Sequence, residues 1–136
     1  MDEKVRALTR RFNTSCPFEL AERLNIEVWF CDLGRNTRGM YYRKIRRRFI
    51  AIHSGLSEPW RKFVCAHELA HDRLHPGISQ FFLDDHSFFN AGKYERQANY
   101  FAVKLLTANA EPEIGETQEQ FLLRCSIPPE LHKLFL

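Results

Sequence analysis

The spacing of apolar positions changes period along the 136-residue chain. Val5, Leu8 and Phe12 recur at three- and four-residue intervals, the pattern of one buried helix face, and predict a helix over residues 2–12. Asn13-Thr14-Ser15 interrupts it. A second helix is predicted near residues 17–24, with Phe18, Leu20, Ala21 and Leu24 inward and Pro17 in its first turn, where a missing N–H costs nothing. The period then shortens. Ile26–Phe30, Gly39–Tyr42 and Arg48–His53 read as strands, with a turn at Gly34-Arg35-Asn36 and a hairpin end at Arg43-Lys44-Ile45-Arg46-Arg47. Consecutive strands joined this way predict a three-stranded antiparallel meander, which needs helices on one face to be stable.

Helical spacing returns at Ser57, a candidate N-cap followed by Glu58 and Pro59. Trp60, Phe63, Val64, His67, His71 and Leu74 form one stripe, and Pro76-Gly77 ends it. Residues 78–91 read as a loop with Phe81, Phe82, Phe88 and Phe89. A helix is predicted at about 92–107, a turn at Ala110–Gly115, and two short helices at about 117–125 and 128–135. The expected fold is α+β: a small antiparallel sheet packed on a helical layer, in one domain spanning 1–136. Within it, 1–25 form N-terminal helices, 26–53 the sheet, 57–107 the two long helices and 117–136 the C-terminal helices.

Composition narrows the class. Apolar residues are 44% and charged residues 27%, an ordinary globular mix, and 12 Phe are available for packing. The start, MDEKVRALTRRF, has no apolar signal region, and no stretch has the ~18 apolar residues of a membrane helix. A cytoplasmic protein without membrane contact is expected. Cys16, Cys31, Cys65 and Cys125 are widely spaced with no C-x-x-C, which fits reduced thiols rather than a disulfide framework. A net charge of +3 is too small to argue for nucleic acid, so direct nucleic-acid binding is not expected.

The chemistry is concentrated in His67-Glu68-Leu69-Ala70-His71, an H-E-x-x-H sequence on the predicted long helix. Residues four apart share a helix face, so the two imidazoles can converge on one zinc ion. Glu68 is rotated about 100° away and misses the metal, but it can take a proton from an activated water. A catalytic zinc needs a third protein ligand. His75 is eight residues from His67, or about 12 Å along a continuous helix, too far to share an ion. Glu95 is the better candidate. It lies 24 positions after His71, enough for a loop and a returning helix. It shares a face with Ala98, Asn99 and Ala102, whose small alanines let two helices approach. Asp84, Asp85 and His86 are further candidates. Asn99, one turn from Glu95, is placed to brace the site from behind.

The pair His67-Glu68-Leu69-Ala70-His71 and Glu95-Arg96-Gln97-Ala98-Asn99-Tyr100-Phe101-Ala102, followed by Leu105-Leu106, resembles the ImmA/IrrE metallopeptidases. The Gly39–Tyr42 and Ile50–His53 strands are similar as well, and the resemblance covers about residues 17–107. It implies a zincin-like core and a zinc endopeptidase of gluzincin type, with one Zn2+ per chain on His67, His71 and Glu95 and with Glu68 as base. It also implies a protein substrate, a helix-turn-helix repressor cleaved to relieve repression in a prophage, mobile element or stress response. A zinc-containing protein that sequesters a repressor without cutting it is the alternative. Asp72 departs from the family pattern, and is expected either to orient a ligand imidazole or to be solvated.

An oxyanion donor is also needed. Tyr41, Tyr42, Tyr94, Tyr100 and His75 are candidates. The strand before the metal helix is expected to be a sheet edge receiving an extended substrate. Arg43, Lys44, Arg46, Arg47 and Arg48 are expected to be a solvated hairpin end, with a docking patch as the other possibility. The C-terminal helices resemble a degenerate helix-turn-helix but are expected to pack rather than read DNA.

Overall fold

The computed structural model describes residues 2–75, 80–83 and 92–134, with backbone alone for 80–83 and 134. Helix α1 spans Asp2–Phe12 and α2 Pro17–Arg23. Strands β1 (Glu27–Cys31), β2 (Thr37–Lys44) and β3 (Arg47–His53) follow. Next come the long helix α3 (Glu58–Leu74), strand β4 (Gln80–Leu83) and helix α4 (Lys93–Thr107). A short helix α5 (Gln118–Arg124) and a 3-10 helix (Pro129–Leu134) complete the described chain.

The sheet corrects the expected antiparallel meander. It has four strands in the order β1-β3-β2-β4 and is mixed. β1 runs parallel to β3, with Val28 opposite Ile50 and Phe30 opposite Ile52. β2 pairs antiparallel with both β3 and β4. β3 is inserted between β1 and β2 because it is the most apolar strand: Ile50 and Ile52 are fully buried on one face and Ala51 nearly so on the other. β1, with its exposed Trp29 and Phe30, is left outside. β3 is therefore central and cannot receive a substrate strand. β4 falls in the segment expected to be loop. Its run Gln80-Phe81-Phe82-Leu83 is short enough that periodicity alone does not separate strand from loop.

The core lies between the sheet and α3. Tyr41, Ile50 and Ile52 meet Phe63, Val64 and Leu69, all without exposed surface. The second long helix, α4, adds Phe101, Ala102 and Leu105. Ser57 does occupy the N-cap of α3 with Pro59 in the first turn, though its hydroxyl makes no capping bond. Thr117 does cap α5, exchanging hydrogen bonds with Gln120 in a capping box. The C-terminal segment packs through buried Leu122, Ile127 and Leu131, and its last turns are 3-10 rather than α-helical. No described helix is long and apolar enough to cross a membrane.

The basic hairpin is only partly solvated. Arg43, Lys44 and Arg46 are exposed, and Arg47 pairs with Glu27 at 3.0 Å. Arg48 instead turns inward, where it meets both oxygens of Asp72 at 3.0 Å and donates to the Leu24 carbonyl.

Candidate metal centre

Fifteen or more helical residues on each side place the chemistry: α3 has 17 residues and α4 has 15. The helical repeat puts His67 and His71 on the buried face of α3, both with no exposed surface and with ring centroids 5.0 Å apart. Ala98 and Ala102 on α4 are fully buried, and they bring the first turn of α4 against these rings. Glu95 reaches both. Its Oε2 is 3.0 Å from His67 Nε2, and its Oε1 is 2.8 Å from His71 Nε2. Donor atoms of His67, His71 and Glu95 all lie within 4.8 Å of one another, a group able to hold a metal ion.

The donor chemistry fits a cation. His67 Nδ1 faces Asn99 Oδ1 at 2.8 Å while its Nε2 faces the Glu95 carboxylate. A neutral imidazole has one N–H, and both partners are acceptors. His71 Nε2 and Glu95 Oε1 are close but not aligned for a hydrogen bond, and both are buried without one. Converging buried acceptors are unfavourable unless a positive charge lies among them. Burial pushes the His71 imidazole down to about 4, so it is neutral and available as a ligand at neutral pH. Burial opposes ionisation of Glu95, but the contacts with His67 and His71 outweigh it and hold its carboxyl well below the usual range.

Glu68 has no exposed surface, and neither of its oxygens has a hydrogen-bond partner among the described residues. Its carboxyl is pushed well above the usual carboxylate range, first by burial and then by the nearby Glu95 charge. β2 makes this placement possible. A Cβ on Gly39 would overlap the Val64 side chain and stand 3.2 Å from Glu68 Oε2. Gly39 also lies beside a register shift between β2 and β4.

The remaining candidates separate. His75, at the C-cap of α3, contacts His71 Nδ1 through its own Nδ1 at 3.0 Å and Gln97 Oε1 through Nε2 at 2.7 Å. Tyr94 is half exposed, with its ring 4.3 Å from that of His75. Tyr41 is fully buried and donates its hydroxyl to Asp72 at 2.7 Å, and burial followed by that bond raises its pKa further. Tyr42 points to the other sheet face, against Phe49 at 5.1 Å, and Tyr100 turns toward Asp2. Asp72 neither orients a ligand imidazole nor meets solvent: it binds Tyr41, Arg48 and Arg73. Asp84, Asp85 and His86 lie outside the described residues. Gln97 and Gly39 were not singled out by their chemistry from sequence, since an amide and a glycine carry no ligand signature of their own.

A helix-borne H-E-x-x-H joined by a glutamate from a second helix defines a metallohydrolase type of centre. The family model of the IrrE N-terminal-like domain, a peptidase family, matches residues 21–118, and the chain belongs to this family. It is similar to the uncharacterized immunity region protein 2 of Bacillus phage phi105, 41% identical over 102 residues covering 75% of this chain. It is also similar to the metallopeptidase ImmA of Bacillus subtilis strain 168, 28% identical over 131 residues covering 92% of this chain. The chain spans 65% of the length of the phage relative and 77% of ImmA. No solved structure matches it.

Proposed function

We propose that this protein is a zinc-dependent endopeptidase with a zincin-like centre. In this reading it acts in the cytoplasm and cleaves a helix-turn-helix repressor to relieve repression in a mobile-element or stress-response switch. One observation carries the hydrolytic half: Glu68 is a fully buried carboxylate without a hydrogen-bond partner, next in sequence to a ligand candidate. Such a group costs stability, and general-base chemistry gives it a use. The repressor half is supported by the family, by the phage relative named for an immunity region and by the relative named ImmA.

His67 and His71 would hold the zinc through ring nitrogens, and Glu95 through its carboxylate. When bound, zinc supplies Lewis acidity that activates water near neutral pH and polarises the scissile carbonyl. Glu68 takes the proton of the attacking water on a carboxylate oxygen and returns it to the leaving amine nitrogen. Tyr94, half exposed with its ring beside His75, is in this reading a candidate to steady the developing oxyanion. An extended substrate lies along β4, an outer strand of the described sheet, next to the β2 segment that carries Gly39 against Glu68.

The test is co-expression with the helix-turn-helix repressor encoded nearest the gene, comparing wild type with Glu68→Gln by intact mass. Repressor fragments with wild type and none with the variant, a loss of at least ~100-fold, are expected. Intact repressor in a stable complex with both forms would replace cleavage by sequestration.

A further inference from the structure

The two ligand histidines are braced differently, and the longer path leads to an unexpected residue. His67 meets an amide directly, Nδ1 to Asn99 Oδ1. His71 meets another imidazole, and only that second ring, His75, reaches an amide, Gln97 Oε1 at 2.7 Å. Asn99, Gln97 and Glu95 all come from α4.

We propose that Gln97, acting through His75, is a positioning residue that sets the tautomer of His71 and so presents a bare Nε2 to the metal. The inference rests on reading His67, His71 and Glu95 as a metal centre. A carbonyl oxygen only accepts, so the His75 nitrogen facing Gln97 carries the proton: Nε2–H donates to Oε1. A neutral imidazole has one N–H, which leaves His75 Nδ1 as an acceptor. The atom 3.0 Å away, His71 Nδ1, must then be the donor. His71 Nε2 is left with a lone pair, 2.8 Å from Glu95 Oε1. Beside a carboxylate oxygen that acceptor is relieved by a cation held between the two. The opposite tautomer would place a proton where the ligand bond belongs.

Burial makes the relay effective. His75 is 6% exposed and its ring lies against Tyr94, so water does not readily replace Gln97 as the acceptor. The sequence contains the relay as a third histidine, His75, four residues beyond His71, and as the glutamine two residues after Glu95. Neither position is a ligand, because His75 is too far from His67 to share an ion.

The test compares wild type, Gln97→Met and Gln97→Glu. Methionine keeps the length and apolar volume and removes the strong acceptor, whereas glutamate retains an acceptor oxygen. Imidazole 15N spectra of the metal-free protein above pH 7.5 read the tautomers directly. Wild type and Gln97→Glu are expected to hold the His71 proton on Nδ1, and Gln97→Met to populate both tautomers. Zinc affinity, measured by competition with a chromophoric chelator, should fall about 10–100-fold in Gln97→Met and stay within a few-fold in Gln97→Glu. His75→Phe, which keeps a ring against Tyr94, should match Gln97→Met. An unchanged His71 tautomer in Gln97→Met, or a wild-type His71 protonated on Nε2, overturns the relay. These readouts do not involve cleavage, so an inactive protein with an intact relay would sink the peptidase reading alone.

Discussion

Glu68 and Asp72 stand one helical turn apart on α3, both buried, both turned toward β2, and they are held in opposite ways. β2 presents Gly39 to Glu68, a residue with no side chain and nothing to donate. Two positions along, it presents Tyr41 to Asp72, and the hydroxyl donates at 2.7 Å. Arg48 from β3 and Arg73 from α3 complete the shell around Asp72. Among the described residues no comparable donor meets Glu68. The burial of the two carboxylates is nearly the same, so burial does not distinguish structure from function here. Satisfaction does. A carboxylate with every oxygen bonded ties the sheet to the helix, while one with no hydrogen bond is a candidate for proton-transfer chemistry.

The contrast can be broken from either side. The largest effect on stability should come from Asp72→Ala, which leaves the buried Tyr41 hydroxyl and the Arg48 guanidinium without their acceptor. A loss of about 3 kcal/mol is expected by urea denaturation. A loss below ~1 kcal/mol would mean that the cluster is not what ties β2 and β3 to α3. Gly39→Ala should come next, at about 2 kcal/mol, because its Cβ overlaps Val64 and crowds the Glu68 carboxylate. Retained stability and activity in that variant would show that β2 yields easily and that Glu68 needs no such close wall.

Glu68→Gln should have the smallest effect and the opposite sign. The metal-free variant is expected to be about 1 kcal/mol more stable than wild type at pH 7, since it removes a buried, unpartnered carboxylate. The gain should depend on pH. Below about 4.5 the carboxyl is protonated in both the folded and the unfolded wild type, and the two proteins should match. As pH rises above that value the unfolded chain ionises while burial resists ionisation in the fold, so wild type loses stability relative to the variant. Thermal melts in chelator from pH 4 to 8 measure this, and a gap that is constant with pH would refute it.

The same two carboxylates mark how far the sequence could be read. Residues His67, His71 and Glu95 were legible because helical spacing converts sequence distance into direction, and α3 and α4 obey it. Asn99 followed from the same rule, and it faces His67. Asp72 was not legible, because its partners Tyr41 and Arg48 lie 31 and 24 positions away and meet it only through strand register. The sheet order failed for a related reason. Consecutive strands suggest neighbours, yet the continuous apolar run Phe49-Ile50-Ala51-Ile52 belongs to a strand covered on both sides, and that signal places β3 centrally. The basic tract misled through composition: Arg48 looks like its neighbours, and only the pleat turns it inward while Arg47 stays out.

Glu95, Gln97 and Asn99 ride on a single rigid helix, seated on α3 through the fully buried Ala98. A shift of α4 away from that seat would withdraw a ligand and the anchors of both imidazoles in one movement. If this centre holds a metal as proposed, occupancy becomes a gauge of how firmly the two helices are docked. A bulkier side chain at position 98, touching no ligand, should empty the site as surely as deleting one.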